Sequence, residues 1–218
     1  MSLPARQPVS WAASDATGAA DATNMTSSVE STLVQMAQAG DETALGQLFE
    51  RYNARIHLYL ARMVGDDEVG RELTQETFLK AWESLARLRD PSRFTSWLYR
   101  IATNIAYDHL RRPRTLWLFP SIHHEEHAQV QNDMRSDMMH LERRVEEREL
   151  LTLALQRVSL TYRACVILQI VEELPQRQIA TLLGIKEGSV SKYVSRGLHE
   201  LRNAYLQLTS EQQVDGKE

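Results

Sequence analysis

The 218-residue chain has one cysteine, Cys165, which excludes an internal disulfide and any cysteine-based zinc site. Cys165 falls in the apolar run 164–170 and is expected to pack as a small buried hydrophobe. No apolar run approaches the roughly 20 residues that cross a bilayer. The N-terminus has no charged segment followed by an apolar block, so no secretory signal is read and a cytoplasmic location is expected. Glycine-rich phosphate loops, nucleophile motifs and good metal-ligand spacings are also missing, so neither an enzyme nor a cofactor is expected. No stretch alternates with period two for long enough to make a strand. A large positive charge is lacking as well: the net charge of −4 argues against indiscriminate coating of nucleic acid.

The few glycines and prolines are informative where they stand. Residues 176–196 space a small residue, Ala180, a turn glycine, Gly184, and an apolar anchor, Val190, as a helix-turn-helix requires. Ile179, Leu183, Ile185 and Val194 complete its apolar contacts, which leaves Lys186, Ser189, Ser191, Lys192, Ser195 and Arg196 facing outward as a polar, basic set that suits a major groove. An ordinary helical hairpin in an all-α domain would have the same spacing.

Elsewhere the pattern is helical throughout. Residues 1–28 are rich in Ala, Ser, Thr and Asp and read as a disordered extension. A helix begins near Val29 and ends before Gly40, and Asp41 is placed to cap a second helix over 42–64, whose Leu45, Leu48, Phe49, Tyr52, Ile56, Leu60 and Met63 recur at steps of three and four. A third helix is expected over 68–88, with Leu73, Phe78, Leu79, Trp82 and Leu85 apolar; a turn follows at 89–92 and a fourth helix over 94–112, stopped by Pro113. Residues 113–140 read as a linker. A second helical domain over 141–208 would hold one helix to about residue 158, another from Ser159, an N-cap candidate, to Glu173, and the helix-turn-helix opened by Pro175, with residues 209–218 as a C-terminal tail.

Charge is concentrated in two places. Arg100, Arg111, Arg112 and Arg114 oppose Asp108 alone, and Arg177, Lys186, Lys192, Arg196 and Arg202 oppose Glu187 and Glu200. Two basic surfaces on an acidic chain suggest two separate DNA contacts, with acidic surface left for a protein partner. On the fourth helix, Leu98, Ile101, Ala102 and Ile105 form the expected buried stripe, whereas Arg100, Asn104, Tyr107 and Arg111 share the opposite face, where Asn can read a base edge and Tyr can stack.

Residues 41–112, with Glu-Leu-Thr-Gln-Glu-Thr-Phe-Leu-Lys-Ala-Trp at 72–82 and Trp-Leu-Tyr-Arg-Ile-Ala-Thr-Asn-Ile-Ala-Tyr-Asp-His-Leu-Arg-Arg at 97–112, resemble region 2 of a bacterial sigma-70-family initiation factor. Residues 141–206 resemble region 4, and the order, with a linker between, is that of the extracytoplasmic-function (ECF) group. Together they cover about 140 residues. The resemblance implies two small helical domains, a flexible linker, and a factor that brings core RNA polymerase to a promoter and captures the opened strand.

It also implies roles. Glu72, Leu73, Gln75, Glu76 and Phe78 would meet the clamp helices of the polymerase beta-prime subunit, and region 4 its beta flap. Lys80, Arg89, Arg100, Asn104, Tyr107, Arg111 and Arg112 would recognise and open the minus-10 element, with Asn104 at the position that helps hold a flipped base. Lys186, Ser189, Ser191, Lys192, Ser195 and Arg196 would read the minus-35 element, Arg196 through guanine. An anti-sigma factor or other regulator is implied as a partner, and insertion into a membrane is not.

Two departures stand out. Relatives usually carry an acidic cluster where this chain reads Val69-Gly70-Arg71-Glu72, so either Glu68 and Glu76 suffice, or Thr74 is a phosphorylation site that restores negative charge. His123 and His127, with His140 or Glu126, have a spacing that could hold zinc in a helix, but linker histidines are usually only solvated, and no metal is assigned. A competing reading is a helix-turn-helix regulator whose N-terminal domain senses a signal and never joins polymerase.

Overall fold

The computed structural model describes residues 28–112 and 147–215, with side chains to residue 211. The regular elements are helices, with no strand among the described residues. The expected N-terminal extension, the linker with its histidines and residues 141–146 lie outside them.

Helix α1 covers residues 28–38. Asp41 starts α2 (Glu42–Val64) by accepting from the Thr43 and Ala44 N–H groups at 2.8 and 3.1 Å, and Gly65 ends it at φ 81°, a conformation that suits glycine. Asp66 then caps α3 (Asp67–Ser84) through the Val69 N–H at 2.9 Å. The two helices cross closely: a Cβ added to Gly70 would lie 2.8 Å from the Ala61 Cα. This third helix stops at Ser84 rather than near Leu88, and single 3-10 turns at Leu85–Arg87 and Pro91–Arg93 lead into α4 (Phe94–Arg111). Helix α1 ties the bundle together. Gln38 Nε2 donates to the Leu85 and Leu88 carbonyls at 2.9 and 2.7 Å, and the Glu30 carboxylate accepts from the hydroxyls of Tyr52 and Thr95.

The C-terminal half holds α5 (residues 147–156), α6 (Leu160–Val166), a π-helical turn (Ile167–Val171), α7 (Gln176–Leu183) and α8 (Glu187–Asp215). Three expectations are corrected. The helix expected over 159–173 changes winding after Val166. Ser159 does not cap it through its side chain; its N–H and hydroxyl donate instead to Glu200 at 3.0 and 3.1 Å. The boundary expected at residue 208 falls inside α8, which continues to Asp215. The helix-turn-helix forms as its spacing predicts, with Ala180 and Val190 buried and Gly184 at φ 67° receiving the chain as α7 ends. Cys165 is fully buried.

The two halves do not stand apart. Helix α7 packs on α4, α6 touches α2, and one apolar cluster runs from Val34 in α1 to Val194 in α8.

Candidate nucleic-acid and protein interfaces

Helix α3 turns an unusual face inward. Gly70, Leu73, Thr74, Thr77 and Ala81 are buried, and the Thr74 and Thr77 hydroxyls donate to the Gly70 and Leu73 carbonyls, each at 2.7 Å. The polymerase-contact set therefore divides. Glu72 and Gln75 are exposed, Glu76 pairs with Lys80 at 2.6 Å on the surface, and Leu73 belongs to the core rather than to a contact surface. Thr74, the candidate phosphorylation site, is 3% exposed, and its hydroxyl points along its own helix to the Gly70 carbonyl rather than into solvent. Arg71 pairs with Asp67 at 3.1 Å, which offsets the positive charge that breaks the acidic pattern.

The side chains that α3 shows to solvent include large apolar ones. Leu79 is 63% and Trp82 59% exposed, and Phe49 of α2 is 44% exposed. Phe49 meets Phe78 edge-on with centroids 4.7 Å apart, and both line a groove of 350 Å³ with Leu45, Trp82, Leu85 and Phe94.

On α4, Arg100, Asn104, Arg111 and Arg112 are exposed as expected, and Arg89 is exposed on the preceding turn. Tyr107 is not free. Its hydroxyl is buried beside Thr161, Cys165 and Arg163 of α6, where burial raises its pKa, and the Arg111 guanidinium lies 5.6 Å from its ring centroid. The hydroxyl end of the ring is thus held against α6, while the residue as a whole is half-buried. Tyr99, next to Arg100 in sequence, is fully buried with its ring against Tyr59 at 5.3 Å.

At the start of α8, Ser191, Lys192, Ser195 and Arg196 are exposed on one side, with Lys186 exposed just before the helix and Ser189 half-buried. Buried Val190, Val194 and Gly197 hold the opposite side to the domain. An added Cβ at Gly197 would sit 2.6 Å from Val166 Cγ2, so α8 rides directly on α6. Arg196 Nη1 donates to Tyr162 Oη at 3.1 Å, and the Tyr162 ring packs on Tyr193 at 5.1 Å. That aromatic support was not read from the sequence. Among the described residues no group of His, Cys, Asp and Glu could hold a metal ion, and no helix is long and apolar enough to cross a membrane.

Residues 48–115 match the family described as Sigma-70 region 2, and residues 148–201 match Sigma-70, region 4. The RNA polymerase sigma factor CarQ of Myxococcus xanthus is 33% identical over 172 residues, which span 79% of this chain and 95% of that one. The chain belongs to the sigma-70 family. This sigma factor is also 26% identical over 173 residues to the ECF RNA polymerase sigma factor SigW of Bacillus subtilis, across 78% of this chain and 92% of SigW. It shares the fold of RpoE from Bartonella quintana, solved in complex with the anti-sigma factor NepR, with a TM-score of 0.55 and 17% identity over 73% of this chain and 94% of that one. It is therefore an ECF-type factor that binds core RNA polymerase and directs promoter-specific initiation, with no catalytic role of its own. A separate N-terminal sensing domain is set aside, because those residues match region 2.

Proposed function

We propose how the sigma factor divides this work among its surfaces. The outward side of α3, with Glu72, Gln75, Glu76 and the Phe49–Phe78–Trp82 groove, docks on the clamp helices of the beta-prime subunit. Arg100, Asn104, Arg111 and Arg112 of α4, with Arg89 and Lys80, track the opened non-template strand of the minus-10 element, and Asn104 holds an extruded base. The start of α8 enters the major groove of the minus-35 element, where Arg196 takes a guanine edge, Lys186 and Lys192 neutralise phosphate, and Ser191 and Ser195 leave room for bases that bulkier residues would exclude. Region 4 also meets the beta flap. The protein works in the cytoplasm, and an anti-sigma factor or other regulator covers these surfaces when transcription is not required.

The observation that carries this reading is the exposed row Ser191, Lys192, Ser195 and Arg196 on a helix whose other side is locked to its domain by Val190, Val194 and Gly197. A rigid platform fixes the register in which side chains meet base edges. The test is run-off transcription with purified core enzyme, combined with binding-site selection. Arg196→Ala should relax the choice at one guanine by about 1–3 kcal/mol, whereas Lys192→Ala should weaken all sites alike and lower the salt dependence. An unchanged sequence preference after Arg196→Ala would overturn the assignment.

A further inference from the structure

The guanidinium assigned to base reading does not stand alone at the surface. Helix α8 lies so close on α6 that a Cβ added to Gly197 would meet the Tyr162 carbonyl oxygen at 3.1 Å and the Tyr162 Cβ at 3.2 Å. That approach sets the Tyr162 side chain beside the preceding residue of α8, and Arg196 Nη1 donates to Tyr162 Oη at 3.1 Å. The Tyr162 ring packs in turn on Tyr193, centroid to centroid 5.1 Å, and both tyrosines are half-buried. The hydroxyl that Arg196 meets is therefore carried by a packed helix and a packed ring, which fixes its place.

The charges around Arg196 are sorted by the same pair of helices. Glu200 follows Arg196 by four residues on α8, a spacing at which a carboxylate ordinarily pairs with a guanidinium. Its carboxylate is engaged elsewhere: the N–H and hydroxyl of Ser159, at the start of α6, donate to Glu200 Oε2 at 3.0 and 3.1 Å. A carboxylate on Arg196 would compete with DNA for it, whereas a neutral hydroxyl orients the guanidinium and leaves its charge intact. With Nη1 on Tyr162, the edge formed by Nη2 and Nε keeps the paired donors that guanine O6 and N7 accept.

We propose that Tyr162 is a specificity-determining positioning residue, whose hydroxyl holds Arg196 so that the remaining edge of the guanidinium meets a guanine of the minus-35 element.

This role rests on the assignment of Arg196 to guanine under the proposed function. A free arginine on a helix surface samples many rotamers and gives up that freedom when it binds; one already held gives up less. The gain goes to the partner that matches the held fork. Phosphate, which an arginine can approach from several directions, profits less than a base edge of fixed geometry.

The experiment is binding-site selection by holoenzyme assembled from the full chain and core polymerase, on a duplex library randomised across both promoter elements. The readout is the preference for guanine at the position that Arg196→Ala relaxes. Tyr162→Phe keeps the ring and its packing and removes one hydroxyl; it should lower that preference about threefold to tenfold, the range of one hydrogen bond. The salt dependence of binding should stay as in the parent, because no phosphate contact is lost. Added to Arg196→Ala, Tyr162→Phe should change the preference no further. Only folded molecules select DNA, so a partial loss of stability would weaken all sites alike and leave the ratio untouched. An unchanged ratio in Tyr162→Phe beside a relaxed one in Arg196→Ala overturns the positioning role and leaves the guanine assignment standing. A sharper preference in Tyr162→Phe also overturns it, since the hydroxyl would then be withholding Arg196 from the base. No relaxation in Arg196→Ala removes the guanine assignment itself, and the role of Tyr162 falls with it.

Discussion

Arg163 lies 2.6 Å from the carbonyl of Met63, a residue one hundred positions earlier, and the same guanidinium reaches the Gln156 and Val158 carbonyls at 2.6 and 2.9 Å. One side chain, 4% exposed, thus serves the end of α2 and the segment that follows α5. Burial lowers its pKa, yet a guanidinium stays charged at neutral pH. Arg163→Met should cost about 1–3 kcal/mol for each buried acceptor left without a donor. Arg163→Lys should recover little, because an ammonium cannot fork to several carbonyls. Urea titration followed by circular dichroism measures both.

Gly70 sets the spacing of α2 and α3. Gly70→Ala pushes a methyl to within 2.8 Å of backbone atoms of Ala61, which cannot rotate aside. The expected loss is about 1–3 kcal/mol of stability despite the better helix propensity of alanine. A urea midpoint equal to or above the parent would contradict this packing.

Thr74 separates burial from regulation. Thr74→Asp, often made to imitate phosphate, should lower stability by several kcal/mol because it places an unpaired charge in the core. Thr74→Val should fold and support run-off transcription, since the lost hydroxyl only serves its own helix at Gly70. Transcription stimulated by Thr74→Asp and abolished by Thr74→Val would support phosphorylation at this position.

Alkaline pH should weaken the fold. Burial, reinforced by the Glu30 hydrogen bond, pushes the Tyr52 hydroxyl up to about 12, and burial raises Tyr59 and Tyr99 as well. Above the ordinary phenol value near 10, the unfolded chain gives up protons that the native state keeps, so stability present below pH 10 falls as pH rises. Each such group contributes a slope of about 1.4 kcal/mol per pH unit in that window. Urea midpoints between pH 8 and about 11 should show the decline, and Tyr52→Phe should make it shallower.

Punctuation and periodicity carry much of this fold in the sequence. Asp41 and Gly65 bound α2 because a carboxylate at one end and a left-handed glycine at the other are local chemistry, independent of the rest of the chain. Gly184 and Val190 reveal the helix-turn-helix for the same reason. The sides of α3 were harder to read. Its core stripe is made of Gly70, Thr74, Thr77 and Ala81, small residues that a count of large apolar side chains passes over, although their steps of three and four were visible. Leu79 and Trp82 look like core in such a count and face solvent instead, as a docking surface would. Tyr107 sits where periodicity places it, but its hydroxyl is buried beside α6, and contacts between distant segments leave no local trace. Glu172 and Arg163 are hidden for the same reason: a charged residue in sequence reads as surface until its partners, here far along the chain, are known.

The two hydrogen bonds from Gln38 to the Leu85 and Leu88 carbonyls and the grip of Glu30 on Tyr52 and Thr95 have a practical corollary. The shared family signature starts only at residue 48, so a fragment trimmed to that signature would strip away a strut and bare two acceptors in the turn that carries Arg89. The packed N-terminal half thus reaches beyond the matched residues, and a truncation series on the full chain should lose stability once it removes Glu30.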